Sequence, residues 1–131
     1  PNIEVISRDE IVMEVFGSRD YNLAFKEVDQ KEVDRKLALR LKEANDLKTS
    51  VIIDMTNMTV KRRMATLRNF DKDFSRVAVV FPILSDEEYT KRNINRKAKE
   101  NKWIPPFVIK SMIDSYQEPT LEEGYDTITI L

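Results

Sequence analysis

The chain has 131 residues, 22 of them basic and 23 acidic, for a net charge of −1, and it contains neither cysteine nor histidine. Length alone sets one domain, residues 1–131, large enough to bury roughly 65–70% of its unfolded surface around one core. The absent thiols and imidazoles exclude disulfide frameworks, zinc fingers, most catalytic zinc sites and Ser-His-Asp or Cys-His chemistry; they suit a reducing, cytoplasmic compartment, and the balanced charge offers no general pull toward nucleic acid or membrane.

In chain order, Ile3-Glu4-Val5-Ile6 predicts a short strand that ends at Ser7-Arg8-Asp9. Asp9 and Glu10 supply an N-cap and an acidic first turn for a helix to about Phe16, stopped at Gly17-Ser18. Residues 19–26 read as loop or a single helical turn. From about Val28 to Asn45, Val33, Leu37, Leu41 and Ala44 recur at helical spacing. Ser50-Val51-Ile52-Ile53-Asp54-Met55 is a nearly continuous apolar run, as in a strand buried on both faces. Thr59 caps a helix from about Val60 to Phe70, with Lys61, Arg62 and Arg63 in its first turns. Residues 76–82 form a second buried strand, and Ser85 caps a helix continuing to about Asn95. Pro105-Pro106 starts the last helix, to roughly Gln117, and residues 127–131 close the chain as a strand. No apolar run approaches the ~20 residues of a membrane span.

Strands alternating with helices predict an α/β fold: a three-layer parallel sheet of about four strands with helices on both faces. Ligands of such sheets bind at the carboxyl ends of strands, where Asp9, Asp54, Thr56, Asn57 and Ser85 fall. An ionised Asp9 could take a proton from a substrate hydroxyl, help hold magnesium through water, or simply cap its helix. Asp54 reads as a metal- or water-orienting carboxylate, or as an ordinary strand end; Thr56 and Asn57 read as ligand contacts or a turn. Residues 91–102 carry Lys91, Arg92, Arg96, Lys97, Lys99 and Lys102 against one acid, Glu100. Such a run reads as a mobile, solvent-facing lid or as a solvated basic face. On a helix, Arg92 and Arg96 share a face, and two guanidiniums there can grip phosphate oxygens.

Taken together, these segments resemble the P-loop kinases of the polynucleotide kinase and zeta-toxin type. The carriers are Ile6-Ser7-Arg8-Asp9, Asp54-Met55-Thr56-Asn57 with its basic helix, Lys91-Arg92-Asn93 with Arg96, and the tail Glu118-Pro119-Thr120-Leu121-Glu122-Glu123-Gly124-Tyr125-Asp126. The resemblance implies ATP and Mg2+ as cofactors and a polynucleotide or small hydroxyl compound as acceptor. It makes Asp9 the general base and Arg92 and Arg96 the lid arginines on the ATP phosphates, within a lid of about residues 91–104. Arg8, Asp54, Thr56 and Asn57 would serve the substrate and phosphate region. Val12 stands where polynucleotide kinases often place an arginine, so the likeness does not extend to recognition of a 3′-phosphate or DNA backbone.

The family's first strand and GxxxxGK[ST] loop precede the segment equivalent to residues 3–9, and here only Pro1 and Asn2 do. The two glycines, Gly17 and Gly124, are too far apart to build such a loop. The resemblance therefore implies a P-loop kinase-like portion lacking the first strand and phosphate loop, and this chain alone is not expected to turn over ATP. The loop would come from residues ahead of Pro1 or from another chain; the alternative is a degenerate, non-catalytic binding or interaction module. The family's strand order puts the missing strand between residues 51–55 and 77–81. Those two strands are expected either to pair directly or to admit a partner, whether a P-loop-bearing chain or a second copy.

Overall fold

A computed structural model describes residues 2–131. The chain divides into two compact units, Pro1–Thr56 and Asn57–Leu131.

The first unit runs β1 (Ile3–Ser7), α1 (Arg8–Phe16), α2 (Tyr21–Glu27), α3 (Gln30–Asp46) and β2 (Ser50–Asp54). β1 and β2 pair in parallel, Ile3 opposite Ser50 through Ser7 opposite Asp54, the arrangement that a helical crossover permits. The cap of α1 is Ser7, not Asp9: Ser7 keeps extended backbone angles and its hydroxyl accepts from the Glu10 amide at 3.4 Å. Asp9 instead lies in the first turn, where the helix dipole favours a carboxylate. Gly17 ends α1 at φ 82°, a left-handed cap that glycine adopts without strain. Residues 21–27 form a complete helix because Asp20 caps it, accepting from Leu23 N at 3.2 Å, and Ala24 is fully buried. Ile6, Ile11, Val12 and Val33 are wholly buried and form the centre of this unit.

The second unit runs α4 (Val60–Leu67), β3 (Val77–Val80), α5 (Asp86–Glu100), α6 (Pro106–Ser115), a 3-10 turn (Leu121–Glu123) and β4 (Thr127–Ile130). β3 and β4 are parallel, Val77 opposite Thr127 through Val80 opposite Ile130. Thr59 caps α4 through Arg62 N at 3.3 Å, and Ser85 caps α5 through Glu88 N at 3.2 Å, both as the sequence predicts. α4 stops at Leu67, three residues before the predicted end, in a turn where Phe70 packs edge-on against Phe74. α5 runs five residues past Asn95, to Glu100. Nothing between Asn95 and Glu100 breaks a helix, and acids in its first turn with lysines in its last suit the dipole.

The α/β class and four short parallel strands are as expected. The strands are grouped two and two, in two small sheets, one pair within each unit. Each unit contains its own strand–crossover–strand connection, so each ladder closes locally between strands its own helices join. In both sheets alternate positions remain open. Ile3, Val5 and Ile52 are 50–58% exposed in the first, and Val77 and Val79 are 53–54% exposed in the second.

Candidate functional site

At the carboxyl end of the β1–β2 ladder, Ser7 stands opposite Asp54, so Arg8 and Asp9 emerge beside the end of β2. Parallel pairing is what gathers these residues, which lie 45 positions apart in the chain (54 less 9). Arg8 is already engaged: its Nη2 donates to Gln30 Oε1 at 2.7 Å and to Asp34 Oδ1 at 3.0 Å, which ties β1's end to α3. Asp9 is half-buried, while Asp54 and Thr56 are exposed. This end can present carboxylates to a hydroxyl or to a hydrated cation. Val12 is fully buried on α1. Position 12 is a core position, which explains why an arginine does not occupy it.

In the second unit, Arg92 and Arg96 stand one turn apart on α5 and both line a cavity of about 200 Å³, whose apolar walls include Leu84, Ile109, Met112 and Ile113. Arg92 Nε donates to Glu88 Oε1 at 2.8 Å, a bond that holds the Glu88 carboxyl below its ordinary range. Its terminal nitrogens, and the whole Arg96 guanidinium, have no bonded partner among the described residues. Two of its lining residues, Asn93 and Ile104, are clasped together. Asn93, 3% exposed, donates from Nδ2 to Ile104 O at 2.6 Å and accepts from Ile104 N at 3.1 Å. Tyr89 adds a second fastening, its hydroxyl accepting from Leu84 N at 3.0 Å. Lys97 lies 5.5 Å from the Trp103 ring, so that tryptophan packs against a cation of the last turn of α5. Asn57 sits in a left-handed conformation at φ 47°, its carbonyl accepting from Arg63 Nη1 at 2.8 Å.

The most buried polar contact was not anticipated from the sequence. Arg63 Nε and Nη2 meet both Glu123 carboxylate oxygens at 2.7 and 3.2 Å, and Nη2 also donates to Gln117 O at 2.7 Å. The side chains are 3% and 2% exposed. In sequence Arg63 is one of three cations on a basic helix; a signal was available in the spacing, because only Arg63 lies on the same face of α4 as Leu67. The pair fastens α4 to the 3-10 turn, and Gln117 Oε1 accepts from Val60 N at 2.9 Å beside it.

The family model that matches this α/β chain places it in the nucleotide-binding, P-loop NTPase-like class. The family can be stated more closely: residues 1–119 match the model of the AAA domain, and the chain belongs to that family, which is P-loop NTPase-like and includes kinases. No curated protein matches the sequence.

The family implies a nucleotide and Mg2+. The residues here fit only part of that demand. Arg92 and Arg96 suit phosphate oxygens, but both glycines are committed as left-handed caps at Gly17 and Gly124, so neither builds an amide cradle. Among the described residues no cluster of three acids could hold a metal ion.

Proposed function

We propose that the chain is the acceptor-side and lid portion of an ATP-dependent kinase resembling the polynucleotide 5′-hydroxyl kinases. In this reading Asp9 takes the proton from the acceptor hydroxyl, and Arg92 and Arg96 neutralise charge on the phosphate being transferred. Arg8, Asp54, Thr56 and Asn57 support the acceptor and phosphate region. The phosphate loop comes from residues ahead of Pro1 or from a P-loop-bearing partner chain. The observation that carries the reading is the pair of arginines on one cavity with unbonded guanidinium nitrogens. Arg96, and the terminal nitrogens that Arg92 keeps beside its bond to Glu88, can donate to phosphate oxygens.

The test uses the natural source protein. Its intact mass and upstream coding sequence report whether a GxxxxGK[ST] segment precedes Pro1. If so, transfer from ATP to a 5′-hydroxyl oligonucleotide or a small alcohol is expected, with Asp9→Asn lowering kcat by about 10²–10⁴ and leaving the fold intact. Undiminished transfer by Asp9→Asn removes Asp9 from the chemistry. A source protein with no such segment and no transfer in any complex is a degenerate module, and the kinase reading then fails.

A further inference from the structure

We infer that Asn93 is the positioning residue for the arginine pair: its clasp on Ile104 sets where α5 carries Arg92 and Arg96, so that phosphate binding and an intact clasp support each other. This rests on the phosphate role given to the arginines in the kinase reading, and adds the residue that puts them in place. The Arg92 side chain is 59% exposed, and its bond to Glu88 lies within the same helix. Nothing in that bond fixes it against the rest of the unit. Its placement therefore follows that of the α5 backbone.

That backbone is fixed by a polar contact. Among the described residues Asn93 is the one buried member of α5, and α6 has none. Elements with few buried apolar side chains open locally at low free energy. Here the buried side chain is an amide whose donor and acceptor both meet the backbone of Ile104, at 2.6 and 3.1 Å. The Tyr89 bond to Leu84 N fastens the start of the helix, not its end. Past Glu100 the chain turns back through Asn101, left-handed at φ 51°, and the Lys102 amide reaches the Arg96 carbonyl at 3.5 Å. Residues 93–104 thus form a closed loop, with Arg96 inside it and Arg92 immediately before it. Asn93 and Ile104 also line the same cavity as both arginines. Parting them strands an amide and a carbonyl, and it frees the segment that carries Arg96. Two contacts that favour one arrangement of one loop are coupled, and the coupling is reciprocal. Whatever factor the clasp adds to anion affinity, the anion adds to the clasp.

The experiment titrates the 131-residue chain with inorganic pyrophosphate at low ionic strength, following amide NMR shifts of α5. Hydrogen exchange of the Ile104 amide is then read with and without the ion. At saturation the ion is expected to slow that exchange about tenfold, and Asn93→Ala to weaken pyrophosphate binding by about the same factor. In Arg96→Gln the ion is expected to leave Ile104 exchange unchanged, a comparison that does not need an Asn93 variant to fold. An asparagine with a structural role alone would not make exchange at Ile104 depend on an ion. Pyrophosphate that binds through Arg96 without slowing the Ile104 amide overturns the positioning role and leaves the arginines' phosphate role standing. Equal affinity in a folded Asn93→Ala does the same. Pyrophosphate that fails to bind, or that binds Arg96→Gln as tightly as the unaltered chain, removes the phosphate role. This inference and the observation that carries the kinase reading then fall together.

Discussion

Arg63 illustrates how a single side chain can hold one unit together. Its guanidinium serves Glu123, the Asn57 carbonyl and the Gln117 carbonyl at once, so no donor edge faces an empty interior. Removing it leaves the Glu123 carboxylate buried without its cation, and Arg63→Ala is expected to destabilise the second unit by about 3–5 kcal/mol, read from urea unfolding. Glu123 also sets a pH dependence. The Arg63 hydrogen bond, helped by the Thr120 amide, holds its carboxyl below the ordinary glutamate range against the opposing effect of burial. A depressed folded-state pKa stabilises above the unfolded value of about 4.3 and is lost as pH falls through the folded value. Stability should therefore be level from neutral pH to about pH 5 and fall below that. In Glu123→Gln the acid loss should be shallower, from a lower starting stability; an unchanged acid slope would assign it to other carboxylates. Gly124, beside the pair, has φ 115° and lies 3.4 Å from Arg76 Nη1 at its virtual Cβ, so any side chain there is strained.

Among the elements, α5 carries the most chemistry and the plainest signals. Ser85, three acids in the first turn and lysines in the last all agree with the helix dipole. Ser85→Ala is expected to cost about 1 kcal/mol through loss of the cap to Glu88 N, measured as a shift in the urea midpoint at unchanged slope. The basic stretch is solvent-facing as expected, with Lys91, Lys97 and Lys99 exposed, and it is helical as far as Glu100. The turn between α5 and α6 depends on Asn93, whose amide pairs both ways with Ile104. Asn93→Ala leaves an amide and a carbonyl of Ile104 unpaired, so the Ile104 amide should exchange with solvent at least about tenfold faster. Exchange at the wild-type rate would mean that other contacts fix this turn. The clasp was not legible in sequence. Residues 93 and 104 are eleven positions apart (104 less 93), and no local pattern links an asparagine to a distant backbone pair.

For the molecule as a whole, the uncovered apolar positions are the dominant feature. Parallel sheets are ordinarily covered on both faces, yet Val5 and Ile52 stand half-exposed side by side on one ladder, and Val77 and Val79 on the other. Contiguous apolar surface of this kind promotes association. We propose that a P-loop-bearing segment or a second copy of the chain covers it. The isolated chain should sediment with a concentration-dependent mass and bind a hydrophobic dye. A monomer at every concentration, with no dye bound, would count against an interaction surface there. The same molecule is expected to show no magnesium-dependent ATP turnover by itself, because its two glycines cap α1 and the 3-10 turn and form no phosphate loop. Turnover that is lost in Asp9→Ala would contradict this.

Features that depend on neighbours along the chain were legible in the sequence. Alternating apolar strands and capped amphipathic helices specified the α/β class, and the i,i+4 spacing put Arg92 and Arg96 on one face. The broad P-loop NTPase-like likeness was legible too, and the family model matches residues 1–119. Features that depend on distant partners were settled only by the folded chain. Its strands pair two and two because hydrogen-bond ladders form between whichever edges meet, and sequence specifies edges only weakly. Folding turned Arg63 from a surface cation into the buried partner of Glu123, 60 residues away. It also left Arg96 unbonded on an apolar cavity while Arg92 found Glu88. Those outcomes arise from desolvation and packing in three dimensions, where a charge's role is set by what surrounds it.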